Sequence, residues 1–143
     1  DASRYNDYMK RLYSALRIFT GLFLVVIAGS KFGILPSAVN TASMFTPEGF
    51  AFISAIKATG YLFPTIGIIS LVSGVAFLAN RYVALAAILM IPITVNFSLF
   101  HIFLGLPIHS PFLFFREAIA FVLLALNVYV VYSERVKYAA LLR

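Results

Sequence analysis

Four stretches of this chain, residues 12–30, 61–79, 82–103 and 112–132, are almost free of charge, and each is close to the ~20 residues that carry a helix across a bilayer core. A chain patterned in this way folds with lipid as its solvent. Backbone groups must then be satisfied inside helices, and each ionisable group in the apolar stretches needs a specific reason to be there. The runs are continuous rather than alternating, which predicts spanning helices and not a membrane barrel. Hydrophobic residues make up 62% of the chain, more than one soluble core of this size could hide. The expectation is an all-α, integral membrane four-helix bundle forming a single domain over 1–143.

Charge placement sets the orientation. Arg4, Lys10 and Arg11 precede the first apolar run, Arg81 lies between the second and third, and Arg135, Lys137 and Arg143 follow the last. By the positive-inside rule both termini and the short Asn80-Arg81 connection are cytoplasmic, with the two longer connections outside. The net charge of +6 is therefore distributed as membrane anchors and not as a nucleic-acid patch. Asp1 rather than Met opens the numbering, and the first run lacks an A-x-A cleavage signature, so it reads as a retained span. With no cysteine, thiol-disulfide exchange and thiolate metal sites have no ligands.

Local signals fill in the bundle. Arg17, Gly21, Leu24, Ala28 and Lys31 share one face of the first helix, whose two cations are expected to snorkel toward opposite interfaces. Thr46-Pro47-Glu48 has the form of an N-cap, a first-turn proline and a first-turn acid, predicting a short helix over about 47–58 that serves as interfacial anchor or lid. Gly60, Gly67 and Gly74 fall at heptad spacing and predict, with Gly21, close packing against a neighbouring helix. In the third run Pro92 predicts a kink, and Asn96 and His101 predict an interior, polar-lined stretch. Arg116, Ala120, Leu124 and Asn127 share a face of the fourth.

Under this topology Lys31, Lys57, Asn96, His101, Arg116 and Glu117 gather toward the outer ends of their helices and form the candidate ligand site, with His109 in the adjoining loop. Glu117 fits either an ion pair with Arg116 or Lys57 or a proton-exchanging carboxylate. A metal or haem role for His101 and His109 is rejected, because a Gly-Pro loop separates them within one hairpin and further ligands are lacking. No phosphate loop, nucleophile elbow or hydrolase-type carboxylate pair is present, and no catalytic residue is assigned.

Taken in order, Arg17-x3-Gly21-x-Phe23, Ala28-Gly29-x-Lys31-Phe32, Pro64 to Gly67, Gly74 to Leu78, Arg81 and Pro92-x3-Asn96-x3-Phe100-His101 resemble the DoxX-like family of small four-helix membrane proteins over most of the chain. The resemblance implies a bacterial inner-membrane subunit of a redox or other multisubunit assembly, with quinone as a candidate cofactor. Lipids and other membrane or periplasmic subunits are the implied partners. Ser70 stands where many relatives carry a glutamate, so quinone chemistry draws less support from the likeness than the fold does. Three readings follow: an accessory subunit binding quinone or lipid, a purely structural subunit, and a quinone-reactive oxidoreductase subunit.

Overall fold

The computed structural model describes the backbone of residues 2–34, 45–104 and 111–141 and the side chains of 4–34, 45–104 and 118–138. The described residues are all helical apart from short connections: α1 (Ala2–Lys31), α2 (Pro47–Ala58), α3 (Leu62–Ala79), α4 (Val83–Phe103), α5 (Pro111–Ser133) and α6 (Arg135–Leu141). Three of them, α1, α3 and α4, are long and apolar enough to cross a membrane. α1 takes in the polar residues that precede the first apolar run, because Lys, Arg, Met and Ala all favour helix and no breaker interrupts residues 2–12. At 30 residues it is about 45 Å long and overshoots a bilayer core.

α1 packs chiefly on α3, α3 on α4, and α4 on α5, while α1 and α5 touch only lightly. The α1–α3 contact is a glycine crossing. A Cβ on Gly21 would lie 3.0 Å from the Gly74 carbonyl oxygen, and one on Gly74 would lie 2.9 Å from that of Gly21. About two turns toward the other end of α3, a Cβ on Gly67 would meet the Phe32 ring and the Lys31 stem at 3.0–3.2 Å. Gly60 departs from the heptad reading. It has φ +73° in the α2–α3 turn, precedes α3, and has open space where a Cβ would be, so it serves the left-handed turn and no helix contact.

The α3–α4 connection is tighter than it is flexible. Asn80 ends α3 in the left-handed region at φ 55°, and Tyr82 leads into α4 at φ 57°. The two helices are thereby folded back as neighbours, and Ser73 Oγ donates across them to the Ala86 carbonyl. α4 and α5 are joined by a polar seam inside the apolar core. With its amide nitrogen turned to the Ala87 carbonyl (3.2 Å), Asn127 presents its oxygen to Thr94 Oγ1 (3.2 Å) and the Ile91 N–H (3.3 Å). Ser98 Oγ donates to the Ala120 carbonyl at 3.3 Å. Around these bonds Leu24, Phe77, Ala87, Met90, Leu123 and Val130 form the buried core.

The crossing sets a steric test. Gly74→Leu should lower the thermal stability of the detergent-solubilised chain by about 2 kcal/mol or more, because the facing atom is backbone and cannot swing aside. Ile68→Leu, at an exposed position of the same helix, should leave the melting temperature nearly unchanged.

Candidate functional site

At the end of the molecule where α2 sits, Thr46 caps α2 by accepting from the Gly49 N–H and donates its own hydroxyl to the Leu104 carbonyl at 3.0 Å. Gly49 lies so close that a Cβ would come within 2.8 Å of that same carbonyl oxygen. The start of α2 is thus riveted to the end of α4. Phe45 and Phe52 pack against Phe100 at 6.1 and 5.6 Å between ring centroids, and His101 is buried with its ring edge-on to Phe97 (4.6 Å) and Phe100 (5.2 Å).

Two of the predicted cations meet at this end. Lys31 Nζ lies 4.4 Å from the centroid of the Phe63 ring, and Lys57 Nζ lies 5.9 Å from it. The ring face, negative in its quadrupole, is shared by the two ammonium groups. Asn96 does not join them. It is exposed on the outer face of α4, away from the α4–α5 seam, and the interior amide of that seam is Asn127. The expectation that Asn96 lines an interior stretch is therefore corrected: an α4 helix apolar on every side offers no amphipathic stripe by which to orient one amide. The side chains of Arg116 and Glu117, on the first turns of α5, and all of His109 lie outside the described residues.

A second feature lies between α1 and α5. Their light contact leaves a cleft of about 210 Å³, lined by Phe19, Thr20 and Phe23 from α1 and by Ala118, Ile119, Val122, Leu123 and Leu126 from α5. The Thr20 hydroxyl is turned away into its own helix, donating to the Leu16 carbonyl, so the cleft offers an apolar wall.

The end of the molecule opposite α2 holds a charge cluster that the sequence reading did not foresee. Arg17 is buried, and its guanidinium donates to the Phe77 carbonyl near the end of α3 instead of snorkelling outward. A cation there meets a last-turn carbonyl that otherwise accepts only from the Asn80 cap N–H at 3.3 Å, together with the negative end of the helix dipole. Tyr13 donates its hydroxyl to Glu134 Oε1 at 2.6 Å, Lys137 pairs with Glu134 Oε2, and Tyr138 donates to the Ala84 carbonyl at 2.9 Å. These contacts fold α6 back onto the start of α4 and tie the α5–α6 junction to α1. Burial pushes the Glu134 carboxyl up, but Lys137, the Tyr13 hydroxyl and Arg17 together outweigh it and hold the group below its ordinary value of 4.5. For Tyr138, burial and then the Glu134 charge push the phenol above its usual range. The signal available in the sequence was Glu134 itself, one of five acids in the chain, placed directly after an apolar run and beside Arg135 and Lys137.

Among the described residues no three His, Asp or Glu side chains stand close enough together to hold a metal ion. No family model, curated protein or solved structure matches this chain.

The clasp on Glu134 makes stability depend on pH with a definite sign. A carboxyl depressed in the folded state contributes its stabilisation above the unfolded value of 4.5 and loses it as the pH falls through the lower folded value. Melting of the solubilised chain should therefore drop on acidification below pH 4.5. Glu134→Gln should melt lower at neutral pH and show a shallower acid limb.

Proposed function

We propose that this chain is a DoxX-like integral membrane subunit of four spans in the bacterial inner membrane, accessory to a redox or other multisubunit assembly, and that it binds the apolar part of a quinone or lipid. The cleft between α1 and α5 carries this reading. An apolar cavity of ~150 Å³ already admits a benzene ring, so about 210 Å³ accommodates an isoprenoid unit or a stretch of acyl chain. Its opening lies between two helices whose neighbouring residues, among them Ile18, Leu22 and Phe121, are exposed and apolar, so a ligand can enter from within the membrane. A fourth span is supported by the 23 residues of α5, about 35 Å of helix. An interfacial place for α2 is supported by its docking on the end of α4 and by exposed Phe50 and Phe52. In this arrangement Lys31 and Lys57 stand beside the Phe63 ring at the outer end, the side from which a polar headgroup or a periplasmic partner subunit would approach, while His101 is buried against Phe97 and Phe100.

A purely structural subunit is the competing reading, favoured by the close glycine crossing and the fully bonded α4–α5 seam. The two are separated by mass spectrometry of the gently solubilised complex, comparing the parent with Val122→Trp, which fills the cleft with an apolar side chain. The binding reading expects co-purifying quinone or lipid to fall about tenfold, the loss of roughly 1.4 kcal/mol of affinity, with partner subunits retained. Unchanged ligand in the variant would overturn it.

The orientation is tested with impermeant thiol reagents, for which the chain offers no native background. Thr59→Cys, in the exposed α2–α3 turn, should be labelled on intact cells, and Arg81→Cys, in the exposed α3–α4 turn, only after lysis. The reverse pattern would invert the topology.

A further inference from the structure

The outer face of α4 carries an unexplained regularity. Leu85, Leu89, Pro92, Asn96, Leu99 and Phe103 are all exposed, and their spacing of four, three, four, three and four residues is the alternation of a coiled-coil seam. Asn96 falls on this stripe seven residues before the end of the helix, about 10 Å inside it, a depth that is hydrocarbon when α4 crosses a bilayer. Among the described residues it makes no side-chain hydrogen bond, unlike Asn127, whose amide is bonded on both sides. Pro92, one turn away on the same stripe, also deprives the Ile88 carbonyl of its helical donor. An amide and a freed carbonyl on a lipid-facing surface are costly, and helices in membranes resolve that cost by pairing.

We propose that this face is a homodimer interface in which α4 packs along α4 of a second copy, with the two Asn96 amides hydrogen-bonded to each other across a two-fold axis along the membrane normal. The occupant is a second copy because an amide is at once donor and acceptor, so it completes itself when an identical group faces it. Two copies inserted with the same topology bring their α4 helices together in parallel, and a two-fold axis necessarily sets each residue on the axis-facing stripe opposite its own counterpart. A lone asparagine at an a-type position of a parallel two-stranded seam fixes register and pair number in this way. The leucines and Phe103 along the stripe supply the packing on either side. The interface does not involve the α1–α5 cleft, so it stands whatever that cleft binds.

Asn96→Cys should form a disulfide-linked species of twice 15.8 kDa when membranes are oxidised, the chain having no other thiol. Val72→Cys, exposed on α3, should not. Asn96→Leu keeps the surface apolar and the monomer fold intact, and should reduce the association constant measured in detergent or liposomes about three- to twentyfold, the span of one interhelical hydrogen bond of ~0.6–1.7 kcal/mol. Asn96→Gln should retain most of the association. Cross-linking at Asn96→Cys no better than at Val72→Cys, a cross-linked product containing a different polypeptide, or undiminished association in Asn96→Leu would each overturn the homodimer.

Discussion

The backbone approach of α1 and α3 at Gly21 and Gly74 governs how the other helices are arranged. Carbonyl oxygens stand within about 3 Å of where each glycine's Cβ would be, so the two helices sit closer than any pair with side chains at the crossing could. Lipid gives no hydrophobic driving force for helix association, which leaves close packing and hydrogen bonding to hold the bundle together. The near approach delivers Arg17 to the last turn of α3, where its charge meets the Phe77 carbonyl. A bulkier crossing would separate the guanidinium from that acceptor and strand a buried cation.

The second half of the bundle is held by a different device. α4 and α5 meet through Asn127, Thr94 and Ser98, each bonded to backbone or to one another, in surroundings where a polar group without a partner is expensive. Two tight pairs, α1 with α3 and α4 with α5, are then joined by the short α3–α4 hairpin. A ring closed by only three strong contacts has a weak fourth side. The cleft between α1 and α5 is that side, braced at one end by the Tyr13–Glu134 bond and the α6 clasp.

Much of this was legible in the sequence because lipid imposes simple rules. The long apolar runs mark α1, α3 and α4, and Thr46-Pro47-Glu48 marks the start of α2 at the residue where it begins. The helical nature of residues 2–12 was hidden by polarity that suits the headgroup region as well as it suits a helix extended into water. Spacing alone places Gly60 in a heptad with Gly67 and Gly74, though a positive φ in a turn is another use of glycine. Glu134 does not stand out in the sequence, because a carboxylate at the end of a span reads as solvated. Its burial depends on α6 folding back, which no local pattern announces.

Asn96 and Asn127 show where sequence reasoning loses its grip in a membrane. Both are single amides in helices apolar on every side, and hydrophobic periodicity, which orients helices in water, is nearly absent in α4 and weak in α5. What distinguishes them is the company they keep across the helix. Asn127 faces Thr94 and the carbonyl of Ala87, so α5 can bury it against α4 at little cost. Asn96 lies among leucines, a proline and a phenylalanine that face away from the bundle, so the same amide acquires the opposite meaning. Inside the bundle a polar group specifies how one chain folds, whereas outside it the same group calls for a second surface, and the placement of one asparagine within the α4–α5 seam and the other on the exposed face of α4 separates those two uses.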